Sequence, residues 1–193
     1  MVSILLLATT NDLEYLKQSI NSIIDQSFEQ WELLVGFTIE MDLGLKDSRV
    51  SFFNLNKLQG EAEMIGFLLG KSKYPYISLL KCGHIWNEDK LDIQLRHIQD
   101  YDFIGSNLIY SNNKDKTDFS EDYYTISEKI LNKENAINNY TSLVRKNCLE
   151  NFTDSQVEGF INHDFDLLIN LLKSNCTFYN IPKVLVKDCY DRS

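Results

Sequence analysis

The chain has 193 residues, of which 44% are hydrophobic and 12% aromatic, a length and composition that favour one globular domain over residues 1–193. Its 28 acidic and 19 basic side chains give a formal charge of −9, which argues against a nucleic-acid-binding protein because phosphate neutralisation requires a positive surface. With only 2 prolines and 8 glycines, the chain is also not of the disordered class.

The apolar start of the chain predicts a buried strand rather than a targeting segment. Residues 2–8 are apolar, but no basic flank precedes them and polar residues follow at 9–12. No other apolar run approaches the roughly 20 residues that a membrane span requires. The four cysteines are far apart and form no CxxC pair, so we interpret them as reduced thiols in a cytoplasmic protein.

Apolar runs of strand length alternate with segments of helical periodicity over the first 110 residues. In chain order they predict a strand at 2–8, a helix from Leu13 to about Gln26, strands at 31–37 and 50–55, a helix at 60–71, a strand at 74–80, a helix at about 88–100 and a strand at 103–110. Strands that alternate with helices favour a three-layer α/β fold with a mainly parallel central sheet.

The last third is less regular. Residues 111–122 are the most polar stretch of the sequence and predict a mobile surface loop. An irregular segment follows, then a strand at 140–144, a helix at 163–173 and strands at 177–181 and 184–189.

Four parts of the sequence, which together span nearly the whole chain, resemble family 2 glycosyltransferases of the GT-A fold. They are residues 2–11 and 16–35, which are similar to the first two strands and the helix between them; Ala62–Leu80 followed by the Trp-x-x-x-Lys-Leu of residues 86–91; the His-Asp-Phe-Asp-Leu of residues 163–167; and the Tyr-Asn-Ile-Pro-Lys-Val-Leu-Val of residues 179–186. The resemblance implies a single GT-A-like domain whose 1–110 half binds a nucleotide-diphosphate sugar. Its 111–193 half would bind the acceptor, covered by a mobile loop at 111–139.

This resemblance also implies an activity, namely transfer of a sugar to a hydroxyl of a glycan or protein acceptor with inversion. Asp164 matches the family's late aspartate and would deprotonate that hydroxyl, a poor nucleophile until a carboxylate takes its proton. Thr9, Asn11, Gly36 and Phe37 match the region that holds the donor nucleoside.

At three motifs the chain departs from the family's pattern, and one of them is Ala62-Glu63-Met64 where the family has Ala-Arg-Asn. Gly36-Phe37-Thr38 stands where the family has Asp-Asp-Gly, and only Glu40 or Asp42 in the next loop could replace those carboxylates. Lys81-Cys82-Gly83-His84 stands where the family has the metal-binding Asp-Ser-Asp-Asp. We therefore expect no Mn²⁺, Mg²⁺ or other cofactor, and we expect Lys81 and His84 to bind the donor diphosphate.

An alternative follows from the same losses: an inactive pseudo-glycosyltransferase that acts as a binding or scaffolding module. Asp164 has a structural interpretation too, since acids are favoured at helix starts, and Lys81 could be a solvated lysine at a strand end. Because the chain continues little beyond its last predicted strand, a second copy or a partner protein could help to recognise the acceptor.

Overall fold

Eight strands form one sheet in the computed structural model, which describes residues 1–8, 13–39, 43–58, 60–111, 115–119, 122–149, 154–161 and 165–189. The strands are β1 (Val2–Ala8), β2 (Trp31–Phe37), β3 (Val50–Asn54), β4 (Tyr76–Lys81), β5 (His84–Trp86), β6 (Phe103–Ile109), β7 (Leu143–Arg145) and β8 (Phe178–Asp188). Their order in the sheet is β3-β2-β1-β4-β7-β6-β8-β5. All point the same way except β5 and β7, which are antiparallel to their neighbours. The carboxyl ends of the other strands therefore share one edge of the sheet.

Helices cover both faces of this sheet. On one face lie α1 (Leu13–Ile24) and α3 (Lys90–Leu95); on the other lie α2 (Glu61–Lys71), α4 (Tyr123–Leu131), α6 (Asp154–Ile161) and α7 (Phe165–Lys173). A short helix, α5 (Lys146–Leu149), follows β7. Because β1 is buried on both sides, its sequence is apolar at every position except Ser3 instead of alternating. The predicted three-layer, mainly parallel α/β architecture is confirmed.

The segment predicted as a mobile loop over 111–139 contains helix α4, so that prediction needs correction. The Asp122 carboxylate caps this helix by accepting a hydrogen bond of 2.7 Å from the Thr125 amide, and Ile126 and Ile130 are fully buried. Before the helix, the chain turns back along β6, and Lys116 forms an antiparallel bridge with Ile109. This part of the chain thus packs against the sheet.

Two further predictions differ from the structure in the last third. The strand predicted at 140–144 is instead a 3₁₀ turn at Asn139–Thr141 followed by β7, and the two strands predicted at the end form the single strand β8. The register of β8 against β6 shifts on either side of Asn107, where Pro182 interrupts the run. Helix α6 and strand β5 were not predicted. Within the described residues, no helix is long and apolar enough to cross a membrane.

Gly36 on β2 lies where the sheet packs closely against helix α2. An added Cβ would stand 2.5 Å from Leu55 Cδ1 and 3.1 Å from Leu7 Cδ2. We expect Gly36→Ala to lower the free energy of unfolding by about 1–3 kcal/mol, the usual cost of overpacking a core. Gly66 in α2 is the matched control: nothing lies within 4 Å of its added Cβ, so Gly66→Ala should raise stability by about 0.5–1 kcal/mol. Urea denaturation measures both, and equal effects would contradict the packing role of Gly36.

Lys90 is a fully buried cationic side chain at the start of α3. Its Nζ donates a hydrogen bond of 2.8 Å to Gln94 Oε1 and lies 3.7 Å from the Trp86 ring centroid. Gln94 Nε2 in turn donates to the carbonyls of Ile104 and Thr141, both at 2.8 Å. Burial lowers the pKa of Lys90 well below its ordinary value, because desolvation disfavours the ammonium and a neutral amine can still donate to Gln94.

This pKa shift predicts that Lys90 makes stability depend on pH. Between the lowered folded pKa and the unfolded value near 10.4, the unfolded chain binds a proton that the folded chain does not, so the stability due to Lys90 rises with pH by up to about 1.4 kcal/mol per pH unit. Below the folded pKa both states are protonated and that gain is absent. We expect urea titrations between about pH 7 and pH 10 to show a shallower slope for Lys90→Met than for wild type. The exposed-site control Lys71→Met should keep the wild-type slope. Parallel profiles for wild type and Lys90→Met would show that the buried side chain keeps its proton.

Candidate functional site

The carboxyl edge of the sheet opens into a cleft of about 620 Å³. Lys81 ends β4 and Asp188 ends β8, while His84 begins the antiparallel β5 and therefore lies at the same edge. The lining also includes Glu61, Tyr110, Thr117, Phe119, Asn138 and Tyr140. Ligands bind at this edge in open α/β sheets, so this cleft is the candidate functional site.

Lys81 and Tyr140 form one wall of the cleft. The Lys81 side chain is exposed, and its Nζ lies 5.5 Å from the Tyr140 ring centroid. Burial, together with the negative charge of Glu61, raises the pKa of Tyr140 to about 12. The phenol is therefore neutral at physiological pH, and its ring face attracts the ammonium.

His84 and Asp188 are paired deeper in the cleft. They are direct cross-strand partners of β5 and β8, with His84 Nε2 at 3.9 Å from Asp188 Oδ2 and both side chains only 4% exposed. The His84 ring also meets the Tyr140 ring edge to face, with a centroid distance of 5.8 Å. The Asp188 carboxylate therefore faces the His84 imidazole at the inner end of the cleft.

The turn between β4 and β5 contains the residues that the sequence resemblance aligns with a metal motif, Lys81 to His84. Gly83 has a φ of 86°, a backbone conformation that glycine adopts without strain and aspartate does not. Its amide donates a hydrogen bond of 2.9 Å to Ser19 Oγ, and its carbonyl accepts one of 2.8 Å from the Cys189 amide.

The described residues do not fit a divalent metal at this turn. The ammonium of Lys81 repels a cation, and nowhere in the described parts of the chain do three His, Cys, Asp or Glu side chains come together around one point. Mn²⁺ and Mg²⁺ prefer oxygen ligands, above all carboxylates, and residues 81–84 supply no carboxylate. We therefore derive no chemical step through a metal.

The remaining predicted site residues lie elsewhere or outside the described ranges. Gly36 and Phe37 end β2 at the same sheet edge, with Gly36 buried and Phe37 partly buried. Thr9, Asn11 and Asp164 fall outside the described residues, as do Glu40 and Asp42. The structure brings Lys81 and His84 into one cleft, and their role toward a diphosphate stays a prediction.

Apart from Lys81 and His84, the lining residues were missed from the sequence, and three of them are charged or lie beside those two side chains. Asp188 carried a usable signal, because it stands at the carboxyl end of a predicted strand, like Lys81. The sequence analysis predicted Tyr140 within a strand and Glu61 within a helix, and it gave neither residue a role in the site. Their proximity depends on contacts between segments far apart in the chain.

Comparison with known proteins points to glycosyltransferases. No family model matches the chain. A curated relative, an uncharacterized glycosyltransferase of Rickettsia bellii (strain RML369-C), is 29% identical over 107 residues, which cover 52% of this chain and 15% of the relative. The matched part is thus a small fraction of that protein.

Solved structures match over almost the whole chain. S. aureus TarS 1-349 in complex with UDP-GlcNAc has a TM-score of 0.70 at 15% identity and covers 100% of this chain, which spans 59% of that one. The mannosyltransferase PcManGT from Pyrobaculum calidifontis in complex with GDP-Man and Mn²⁺ has a TM-score of 0.70 at 9% identity. The match covers 99% of this chain and 57% of the mannosyltransferase. The chain therefore has the glycosyltransferase fold that its sequence resemblance predicts, and it spans less than two thirds of the length of these proteins.

Proposed function

We propose that this chain transfers a sugar from a nucleotide-diphosphate sugar to an acceptor hydroxyl with inversion, without a metal ion. The observation that carries the proposal is the exposed ammonium of Lys81 at the carboxyl end of β4, in a cleft of about 620 Å³. In the proposed reaction this ammonium takes the place of the metal that the family's aspartates hold. The donor would lie on the 1–110 half and the acceptor, a glycan or a protein, on the 111–193 half.

The proposed reaction is a direct displacement. Asp164 accepts the proton of the acceptor hydroxyl, whose oxygen forms a bond to the anomeric carbon from the face opposite the leaving group. The bond from that carbon to the diphosphate oxygen breaks, and the electron pair leaves with the diphosphate. Lys81 and protonated His84 stabilise the negative charge that develops there, because charged donors act most strongly where charge forms in the transition state.

The partners of the two cations support this assignment. The Tyr140 ring holds the Lys81 ammonium on the cleft wall without cancelling its charge. The Asp188 carboxylate lies 3.9 Å from His84 Nε2 and positions the His84 ring from the buried side. Each of the two side chains therefore has a neighbour that positions it in the cleft.

A second candidate, an inactive binding module, is favoured by one specific observation. The carboxylates of Glu61 and Asp188 line the same cleft as Lys81 and His84, so the acidic and basic charges are balanced. A cleft with balanced charges has no net positive charge to offset the negative charge of a diphosphate. An inactive module would use the cleft for an uncharged ligand or bind a protein partner elsewhere.

Calorimetric titration of a nucleotide panel distinguishes the two candidates. The panel contains nucleosides, nucleoside monophosphates, nucleoside diphosphates and nucleotide sugars of uracil, guanine, adenine and thymine, each with and without manganese. Under the proposal we expect micromolar binding of one diphosphate and its sugar, with the same affinity in both conditions. Affinity that appears only with manganese would contradict the metal-free mechanism, and the absence of binding by every nucleotide would favour the inactive module.

We also propose a cytoplasmic location for the protein. The four cysteines within the described residues are all free thiols, which suits a reducing compartment. Recognition of the acceptor by a second copy or by a partner protein remains part of the same proposal.

A further inference from the structure

A second cavity, of about 380 Å³, lies at the opposite edge of the sheet from the cleft. It is lined by Cys148 from α5 and Cys176 from the turn before β8, with Asp102 and Arg145 beside them. Gln156 and Asn170 lie on its helical side. None of these residues belongs to the proposed transferase site.

The sheet topology explains why two cysteines far apart in sequence meet here. Strand β6 lies between β7 and β8, and Phe103 on β6 is paired with Val144 on one side and Phe178 on the other. Because β7 runs antiparallel to β6, its end reaches the same edge as the start of β8. Cys148 follows β7 and Cys176 precedes β8, so both stand beside the start of β6.

Asp102 joins the segment that follows β7 to the segment that precedes β8. Its carboxylate accepts a hydrogen bond of 2.9 Å from Thr177 Oγ1 and forms an ion pair of 2.9 Å with Arg145 Nε. Its backbone carbonyl accepts a further bond of 2.9 Å from the Arg145 amide. The segments that carry the cysteines are therefore held in place on either side of one residue.

The two thiols differ in exposure and in proton affinity. Cys176 is 7% exposed, whereas Cys148 is only partly buried. Cys148 Sγ donates a hydrogen bond of 3.7 Å to Asn147 Oδ1. Interaction with Cys148 lowers the pKa of Cys176, whereas interaction with Cys176, together with burial, raises the pKa of Cys148. Such a pair has the arrangement of an attacking thiolate with a neighbouring resolving thiol.

We propose that Cys148 and Cys176 are a redox modification site at which a small peroxide forms a reversible disulfide. The Cys176 thiolate attacks one peroxide oxygen, the O–O bond breaks, and the leaving hydroxide takes a proton to become water. The resulting sulfenic acid reacts with the Cys148 thiol, forming the S–S bond and releasing a second water. Two thiols are oxidised and one hydrogen peroxide is reduced to two waters.

This crosslink would close residues 149–175 into a covalent loop. That loop contains helices α6 and α7, and it also contains Asp164 in the sequence. Oxidation would thus tether the part of the chain that carries the proposed catalytic base. The inference about the thiols does not depend on the proposed transferase activity, since a mass spectrum reads it directly.

The test is a titration of the reduced protein with stoichiometric hydrogen peroxide, followed by alkylation and peptide mass spectrometry. We expect a loss of about 2 Da that maps to a Cys148–Cys176 linked peptide and is reversed by dithiothreitol, since each disulfide removes two hydrogens. In Cys148→Ser the reaction should stop at a sulfenic acid on Cys176, trapped by dimedone with no linked peptide. Cys82→Ser should behave like wild type. Full alkylation of both cysteines after oxidation, or linkage to Cys82 or Cys189 instead, would overturn the proposal.

Discussion

Replacing Asp164 with asparagine should lower the rate of sugar transfer by about 100- to 10,000-fold, the usual contribution of a positioned general base. Asparagine has nearly the same shape but cannot accept the acceptor's proton. The substitution also separates the two interpretations of this residue, because asparagine is as good as aspartate at a helix start. Release of nucleoside diphosphate from the donor, with an alcohol or water as acceptor, measures the rate.

Asp166→Asn is the matched control for this experiment. Asp166 lies in the first turn of α7 and forms an exposed ion pair of 2.9 Å with Lys133, a contact worth less than about 1 kcal/mol. We expect this variant to transfer sugar at the wild-type rate and both variants to bind the donor normally. Wild-type transfer by Asp164→Asn would show that Asp164 serves only as a helix-start residue.

Substitution of Lys81 by alanine has the second largest expected effect. It should weaken binding of the nucleoside diphosphate by roughly 10- to 100-fold, because a hydrogen bond to a charged group is worth about 1.5–3 kcal/mol. Binding of the corresponding nucleoside, which carries no phosphate, should be unchanged. The difference between these two affinities isolates the contact with the diphosphate, and calorimetry measures both.

Lys71→Ala removes the same charge from an exposed lysine outside the cleft lining. It should leave both affinities at their wild-type values if the effect at Lys81 is local. Equal losses of diphosphate and nucleoside affinity in Lys81→Ala would remove its proposed phosphate role. A loss of diphosphate affinity in Lys71→Ala as large as that in Lys81→Ala would indicate a general effect of net charge.

The first half of the fold could be predicted with good boundaries, because its signals are local. Strands β1 and β2 are apolar runs, each with one polar residue (Ser3 and Glu32), and helix α1 repeats its buried residues at helical spacing. Helix α4 shows where such signals were overlooked. Asp122 caps it, and Ile126 and Ile130 are spaced by four, but the polar residues before it made the whole segment resemble a loop.

The candidate site was predictable only in part. The sequence placed Lys81 at the end of a parallel strand, and such ends meet at one edge of a sheet. It could not show that Tyr140 lies beside Lys81 or that Asp188 pairs with His84. Those contacts depend on which strands are neighbours, and the sequence pattern does not encode that order.

By itself, the sequence determined the alternation of strands and helices, the α/β class and the resemblance to glycosyltransferases, since hydrophobic periodicity and short motifs are local properties of the chain. Only the tertiary structure decided that β7 and β8 flank β6, which brings Cys148 and Cys176 into one cavity, and that β5 pairs with β8, which buries His84 against Asp188. These pairings join segments that are distant in sequence. They are stabilised by packing and burial between those segments, which a local sequence pattern does not reveal.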